Sequence, residues 1–298
     1  MKLAVYTTIY RKAVPFLKDW FLSIQSQTDQ QFDLWIGLHG LEVKHLDAIL
    51  ASKRHINYVT ACSSATCAGI RQEALSRIVE GYDAIVLVDC DDILHPSRVA
   101  AARECLNKHE LAGCALRLVN QNGTDARMTF GLPDGRAIED VFPRNNIYGF
   151  SNSSFCTSLL RRCLPIPAEV ILVDWLLATR SWLLGARLTF DNTPRMDYRQ
   201  HPDNTARVRF PVTAEQTISD TIMVRKHYQC LLAEVHPDAL PDRRLAVTEF
   251  AADVSAFEER VAGHPHLIAE YVKRLNAINP APMWWTCVAY PPLNYMWS

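Results

Sequence analysis

The stretch VLVDCDDILHP, from Val86 to Pro96, joins a continuous apolar run to three aspartates, Asp89, Asp91 and Asp92. A short run without polar alternation is typical of a strand that is covered on both faces of a sheet. Open α/β sheets bind their ligands beyond the carboxyl ends of such strands. The stretch therefore predicts a buried strand with a ligand site at its end.

Strand-like and helix-like segments alternate before Val86. Lys2–Ile9, Phe32–Leu38 and Ile56–Ala61 are short and rich in apolar or β-branched residues, which is typical of strands. Val14–Gln27 and Thr66–Glu80 carry apolar residues at three- and four-residue spacing, which predicts amphipathic helices. This order predicts an α/β fold with a mostly parallel sheet flanked by helices.

The composition limits the classes of function. The 298 residues include 31 Lys and Arg against 32 Asp and Glu, so no field of one sign favours nucleic acid or an anionic membrane. The nine cysteines form no C-x-x-C pair, and the start MKLAVYTTIY does not resemble a signal peptide, which favours a cytoplasmic protein with reduced thiols. No apolar run reaches the roughly 18 residues of a membrane span, so at most a peripheral contact with the inner face of the membrane is expected.

The three aspartates need more than one explanation. Asp92 is the best candidate for capping the helix predicted to begin near Pro96. A cap accounts for one aspartate only, and the others repel each other unless a cation or hydrogen-bond donors offset their charge. A hard divalent ion that is completed by substrate phosphates is the usual partner of such carboxylates.

Other polar residues leave two interpretations open. Arg71, with Gly69 at the start of a predicted helix, faces a diphosphate or is an ordinary surface charge. Asp174, between Val173 and Trp175, is a general base or a helix cap. The segment YRQHPDNTAR contacts phosphate or metal, or is an ordinary surface loop; its polar residues are Arg199, His201, Asn204 and Arg207.

Several motifs together resemble a known family. They are VYTTIYR, LSIQSQT, GIRQEAL, LVDCDDILHPSR, SNSSFCTSLLRR, VDW and YRQHPDNT, in that order, between Lys2 and Arg207. The series resembles the inverting glycosyltransferases of family two, which have the Rossmann-like GT-A fold with a mixed, mostly parallel sheet. The resemblance implies a hexosyltransferase-type enzyme that moves a sugar from a nucleotide-diphosphate-sugar to a hydroxyl of a glycan or lipid-linked acceptor, as in polysaccharide biosynthesis.

The resemblance also implies roles for the donor-binding residues. Thr7, Thr8 and Tyr10 would lie at the nucleoside pocket, and Arg71 would contact phosphate. Asp89, the first residue of the D-x-D motif, would contact the ribose or the sugar. Asp91 would ligate Mg²⁺ or Mn²⁺, and the metal site would be completed by His201.

The acceptor side follows from the same resemblance. Asp174 would be the catalytic base that deprotonates the acceptor hydroxyl. Trp175 would offer a face to a sugar ring, and Asn152 and Ser153 would line the sugar or acceptor pocket.

The sequence departs from the family pattern at three places. GLHG, from Gly37 to Gly40, replaces the acidic residue that usually recognises the base, so the nucleotide is not specified. Thr7 and Tyr10 stand where the family has proline and asparagine, and Val173 replaces the acidic neighbour of the base.

The C-terminal part lies outside the resemblance. We predict a catalytic domain over residues 1–210 and a helical extension over residues 211–298, ending in an aromatic tail. The tail could contact a membrane surface, a second copy in a homodimer or a carbohydrate, but we favour an arm that packs back through its rings.

Two other functions remain open. A nucleotidyltransferase that makes nucleotide sugars would also need a nucleotide pocket and a carboxylate-held metal, but the first turn, TTIYRKAVP, lacks its glycine-rich loop. A catalytically idle sugar-binding homologue is the other alternative, and the intact Asp89, Asp91, Asp174 and His201 argue against it.

Overall fold

The computed structural model describes residues 1–46, 55–60 and 66–298. The chain forms two compact units. The first consists of residues 1–131, 148–181 and 186–202, and the second of residues 132–147, 182–185 and 203–298. Both units are therefore discontinuous in sequence, and the division at residue 210 stays a prediction.

A mixed sheet forms the centre of the first unit. Within the described residues it has nine strands: β1 Leu3–Tyr10, β2 Phe32–His39, β3 Ile56–Thr60, β4 Ala84–Leu87, β5 Ile93–Leu94, β6 Leu111–Asn120, β7 Asp125–Phe130, β8 Ser153–Cys156 and β9 Leu188–Gln200. They are ordered β3-β2-β1-β4-β8-β6-β9-β5, and β7 pairs with β6. The predicted strand that ends in the aspartates is β4, next to β1. The predicted third strand extended to Ala61, which lies outside the described residues.

The pairings explain the apolar character of the first strands. β1 pairs in parallel with both β2 and β4, and β2 pairs in parallel with β3. β8 is antiparallel to β4 and β6, whereas β6 and β9 are parallel. All four residues of β4 are buried, as expected for a strand covered on both faces. The predicted mixed α/β sheet is confirmed.

In the described ranges, five helices accompany the sheet: α1 Leu17–Gln25, α2 Cys67–Gly81, α3 Arg98–Leu106, α4 Thr157–Cys163 and α5 Val173–Leu183. The helix predicted from Val14 begins later, because Arg11–Phe16, with Pro15 inside it, forms a 3₁₀ helix first. α2 begins after Thr66, whose side-chain oxygen accepts from the Gly69 N–H at 3.1 Å. Its predicted apolar face is confirmed, since Ile70, Ala74, Leu75 and Ile78 are buried.

A close approach between α2 and the sheet depends on Gly37 in β2. A Cβ atom at this position would lie 2.7 Å from both the Tyr6 hydroxyl and Ile70 Cγ2. The Tyr6 hydroxyl is also 3.0 Å from Thr8 Oγ1. Because Gly37 pairs with Thr8 in the sheet, a side chain there would disturb the strand that leads to the candidate site.

The second unit is mainly helical. It contains α6 Ala214–Ala233, α7 Pro241–Phe257 and α8 Pro265–Ile278, and a π-helical turn follows α7 at Glu258–Ala262. Thr213 caps α6 by accepting from the Gln216 N–H at 3.1 Å.

The aromatic tail packs within this second unit. Trp284, Trp285 and Trp297 are buried, and the Trp297 ring lies 5.2 Å from Phe257 and 6.2 Å from Tyr271. The packing that we favoured from the sequence is therefore confirmed for these rings. In the described part of the chain, none of the helices combines the length and apolar character needed to cross a membrane.

Candidate functional site

Residues 89–92, here called the acidic turn, follow β4 directly. The Val88 N–H still donates to Tyr6 O at 3.0 Å, so the pairing with β1 extends to the start of the turn. The Asp92 N–H then donates to Asp89 O at 3.3 Å. Asp91 and Asp92 are buried, whereas the Asp89 side chain is 28% exposed. The turn thus holds three carboxylates at a carboxyl end of the sheet.

Asp89 forms an ion pair with Arg71, which lies in the second turn of α2. Arg71 Nη2 donates to Asp89 Oδ1 at 2.8 Å, and the guanidinium lies 3.7 Å from the centre of the Phe150 ring. Burial raises the pKa of Asp89 to about 7, an increase that the Arg71 charge opposes and the charges of Asp91 and Asp174 reinforce. The structure therefore joins two of the residues that the sequence assigned to the donor.

Asp91 contacts both Tyr10 and His201. The Tyr10 hydroxyl donates to Asp91 Oδ2 at 2.7 Å, and His201 Nε2 lies 2.9 Å from the same oxygen. Tyr10 ends β1, and His201 follows β9 directly. Burial raises the pKa of Tyr10, and the Asp91 charge raises it further. The two predicted metal ligands thus meet through one carboxylate oxygen.

Asp92 does not cap α3, so that prediction was wrong. The residue before α3 is Ser97, and the Asp92 carboxylate instead accepts from the Arg199 backbone N–H at 2.8 Å and from the Ser151 hydroxyl. Burial raises the pKa of Asp92 well above its usual value, and the neighbouring Asp91 and Asp89 raise it further. The third aspartate therefore holds the acidic turn to β9 and to Ser151.

Asp174 lies in the first turn of α5 and is half-buried. Its charge contributes to the raised pKa of Asp89, so the two carboxylates lie within electrostatic range of each other. The structure thus brings Asp174 towards the Arg71 and Asp89 pair.

Three residues predicted for the sugar or acceptor pocket are buried. Asn152 Nδ2 donates to Cys114 O at 2.6 Å, and the Ser153 hydroxyl donates to Gly149 O at 2.6 Å. Both side chains thus bind backbone carbonyls inside the first unit, where β8 lies between β4 and β6. Trp175 is 0% exposed and presents no ring face to a sugar. The predicted contact of Asn152, Ser153 and Trp175 with a sugar or acceptor stays a prediction.

Thr7 and Thr8 are buried in β1. Thr8 Oγ1 bonds to the Tyr6 hydroxyl, whereas the Thr7 hydroxyl has no hydrogen-bond partner among the described residues.

Asn204 and Arg207 belong to the second unit, where they line a polar cavity of about 360 Å³ together with Arg209 and Gln216. Their predicted contact with phosphate or metal stays a prediction.

Three residues with clear contacts to the site were not predicted. The Ser151 hydroxyl accepts from the Asp89 N–H at 3.0 Å and donates to Asp92. Phe150 stacks on Arg71, and the Phe16 ring stacks on His201 with centroids 4.9 Å apart. The run Ser-Asn-Ser-Ser at 151–154 carries no pattern that distinguishes Ser151 from its neighbours.

Asp91 and His201 suit a divalent cation only if further oxygen atoms complete its coordination. Within the described residues, no group of three or more His, Cys, Asp or Glu side chains is arranged to hold a metal ion. A carboxylate with an imidazole provides two ligands of the kind that Mn²⁺ accepts, and phosphate and water oxygens commonly provide the rest. Asp91 and His201 therefore fit a metal that arrives with a phosphorylated ligand.

Comparisons with known proteins give a fold but no sequence family. No protein-family model matches the sequence, and no curated protein is significantly similar to it. The structure resembles residues 1–349 of Staphylococcus aureus TarS in complex with UDP-GlcNAc, with a TM-score of 0.58, 13% identity, and coverage of 87% of this chain and 72% of the other.

A second similar structure is the mannosyltransferase PcManGT from Pyrobaculum calidifontis, in complex with GDP-Man and Mn²⁺. The TM-score is 0.59 at 13% identity, and the match covers 99% of this chain and 84% of that chain. At such low identity the likeness concerns the fold. The chain thus has a GT-A-like fold that it shares with these glycosyltransferases.

Proposed function

We propose that this chain is a glycosyltransferase that uses a nucleotide-diphosphate-sugar as donor and a hydroxyl of a glycan or lipid-linked molecule as acceptor. In this proposal the transfer inverts the anomeric carbon and needs Mg²⁺ or Mn²⁺. The observation that carries it is the contact of His201 with Asp91 beside the Arg71–Asp89 ion pair, in a fold shared with glycosyltransferases. The structural match to nucleotide-sugar complexes supports the donor class.

Donor binding is assigned to Arg71 and Asp89. The Arg71 guanidinium is held against Phe150 and Asp89, so its orientation is fixed before a ligand arrives. A fixed fork of N–H donors suits the paired oxygens of a diphosphate. Asp89, the most exposed of the three aspartates, keeps carboxylate surface for hydroxyl groups of the ribose or the sugar.

Asp91 and His201 would hold the cation. Both hydrogen bonds to Asp91 end on Oδ2, and the carboxyl lies beside two further buried or half-buried carboxyls, Asp89 and Asp92, whose pKa values are raised. A dication offsets such a concentration of negative charge. When bound, it would neutralise the charge that develops on the departing nucleoside diphosphate.

Asp174 is assigned as the catalytic base. The acceptor oxygen forms a bond to the anomeric carbon while the bond from that carbon to the diphosphate oxygen breaks. The hydroxyl proton passes to the Asp174 carboxylate, and the leaving diphosphate keeps the electron pair. The location of Asp174 at the start of α5, within electrostatic range of Asp89, supports this assignment.

The compartment and partners are also proposals. The cysteines of the described residues are free thiols, which supports a cytoplasmic protein. The proposal also includes a role in polysaccharide biosynthesis, a peripheral contact with the membrane and a homodimer.

A donor panel tests the function. The protein is incubated with Mn²⁺ and single nucleotide sugars, and the panel starts with UDP-GlcNAc and GDP-Man, which the similar structures contain. We expect slow release of nucleoside diphosphate from one donor, and loss of this release with EDTA or in Asp91→Asn. Absence of release and of thermal stabilisation with every donor would contradict the proposal, and pyrophosphate release from a nucleoside triphosphate and a sugar phosphate would favour a nucleotidyltransferase.

A further inference from the structure

The Arg199 side chain reaches several parts of the site from one buried position. Arg199 is 2% exposed, and its Nε donates to Asp91 O at 2.8 Å. Nη1 donates to Gln121 O at 2.9 Å, and Nη2 donates to Asp19 Oδ2 at 2.9 Å. A single guanidinium therefore ties the acidic turn to the loop after β6 and to α1.

Arg199 also contacts the stack that carries His201. Its guanidinium lies 5.0 Å from the centre of the Phe16 ring, and that ring stacks on His201 at 4.9 Å with an angle of 29° between the planes. His201 is two residues further along the chain, directly after β9. Both sides of the Asp91–His201 contact are thus connected to one arginine.

The backbone of Arg199 adds a second link to the acidic turn. Its N–H donates to Asp92 Oδ1 at 2.8 Å, and the other carboxylate oxygen of Asp92 accepts from Ser151, which in turn accepts from the Asp89 N–H. The side chain therefore holds the backbone of Asp91, while the main chain holds the carboxylate of Asp92.

We propose that Arg199 is a positioning residue that sets the distance and orientation between Asp91 and His201 before a metal binds. This inference rests on the proposed function of the same site. Arg199 has no metal-ligating atom, so it acts through the Asp91 carbonyl and the Phe16 ring. The role requires arginine, because lysine cannot donate to three separated acceptors from one planar group.

Two measurements test the inference in Arg199→Lys. The first is the NMR signal of the His201 imidazole in ¹³C-histidine-labelled protein without metal, assigned with His201→Gln. We expect this signal to move, because the Phe16 ring that shifts it loses its contact with the guanidinium. The second is the affinity for Mn²⁺ in the presence of UDP or GDP, measured by calorimetry, which we expect to fall by about 10- to 100-fold, the range typical for loss of an outer-shell partner of a metal site.

Arg195→Lys is the matched control. Arg195 lies on the same strand, but its guanidinium donates to Asp191 at 2.9 Å and to the Ser97 hydroxyl at 2.7 Å rather than to the acidic turn, so both readouts should stay at their wild-type values. Phe16→Leu removes the ring that links the Arg199 guanidinium to His201, so Mn²⁺ should bind more weakly with UDP or GDP although the hydrogen bonds of Arg199 are kept. It keeps the inference testable if Arg199→Lys does not fold.

The outcomes separate the two proposals. If the His201 signal stays in place in folded Arg199→Lys, the positioning role is refuted, whatever the wild type binds. If Arg199→Lys does not fold, an unchanged Mn²⁺ affinity in Phe16→Leu refutes it. If the wild type binds no Mn²⁺ with any nucleoside diphosphate, the proposed function fails, and the His201 signal alone then decides whether Arg199 orients the ring.

Discussion

His201 Nε2 lies 2.9 Å from Asp91 Oδ2, although 110 residues separate the two in the sequence. Asp91 follows a strand in the first half of the chain, and His201 follows the last strand of the sheet. Two side chains that could bind one cation are therefore in direct contact. Such an arrangement reduces the ordering that a cation would require on binding.

Asp91→Asn should remove the metal-dependent binding of the nucleoside diphosphate that the sugar donor releases. The substitution keeps the shape of the side chain but removes the negative charge beside His201. Removing one member of a buried, hydrogen-bonded charge pair costs about 2–5 kcal/mol, or roughly 30- to 5,000-fold in affinity. Calorimetric titration of UDP and GDP, with and without Mn²⁺, measures this loss.

Asp125→Asn is a suitable control for that substitution. Asp125 begins β7 and its side chain is 48% exposed, so binding should match the wild type. Equal Mn²⁺-dependent affinity in Asp91→Asn and Asp125→Asn would remove Asp91 from the metal site.

Asp174→Asn should slow the transfer of the sugar but leave the binding of the nucleoside diphosphate almost unchanged. An amide cannot accept the acceptor proton, and loss of a general base typically reduces a rate by about 10²- to 10⁴-fold. Binding of the nucleoside diphosphate should stay within a few-fold of the wild type, because the metal and phosphate residues are unchanged. Parallel measurements of sugar transfer and of nucleotide affinity test this, and transfer at the normal rate would refute the assignment of the base.

The strand and its aspartates could be predicted from the sequence because that signal is local. An apolar run with three carboxylates at its end specifies both burial and location, and the start of α2 brings Arg71 to the same side. His201 was assigned to the same site through the family resemblance of a series of motifs, since its distance from Asp91 along the chain gives no direct signal. Both predictions depend on short segments whose patterns indicate the same structure in any α/β sheet.

The remaining features depend on tertiary contacts that no short segment encodes. Asp92 binds the N–H of Arg199, which is 107 residues away, so the local helix-cap pattern was misleading. Asn152 and Ser153 are buried because β8 inserts between β4 and β6 in the opposite direction, and strand order is not readable from residues 151–156 alone.

Gly37→Ala should destabilise the first unit, whereas Gly81→Ala should not. A methyl group at position 37 would meet Tyr6 and Ile70 at 2.7 Å, and overpacking of this kind costs about 1–3 kcal/mol. At Gly81, the last residue of α2, a methyl group meets nothing within 4 Å, so alanine should stabilise the helix by about 0.5–1 kcal/mol. Thermal unfolding of both variants gives the comparison, and equal midpoints would contradict the close approach at Gly37.

His227 in α6 should make the protein less stable in acid. Burial lowers the pKa of His227 to about 3, whereas an unfolded histidine titrates near 6.5. Between these pH values the unfolded state binds a proton that the folded state does not. The contribution of His227 to the free energy of unfolding is therefore fully present above pH 6.5 and is lost as the pH decreases towards 3.

His227→Gln removes this pH-dependent contribution. Between pH 7 and pH 5 its free energy of unfolding should therefore fall by about 2 kcal/mol less than that of the wild type. Chemical denaturation at both pH values measures the difference, and the exposed His266, changed to Gln, is the control that should behave like the wild type. An identical pH dependence in His227→Gln and the wild type would mean that His227 becomes protonated without unfolding, which its burial opposes.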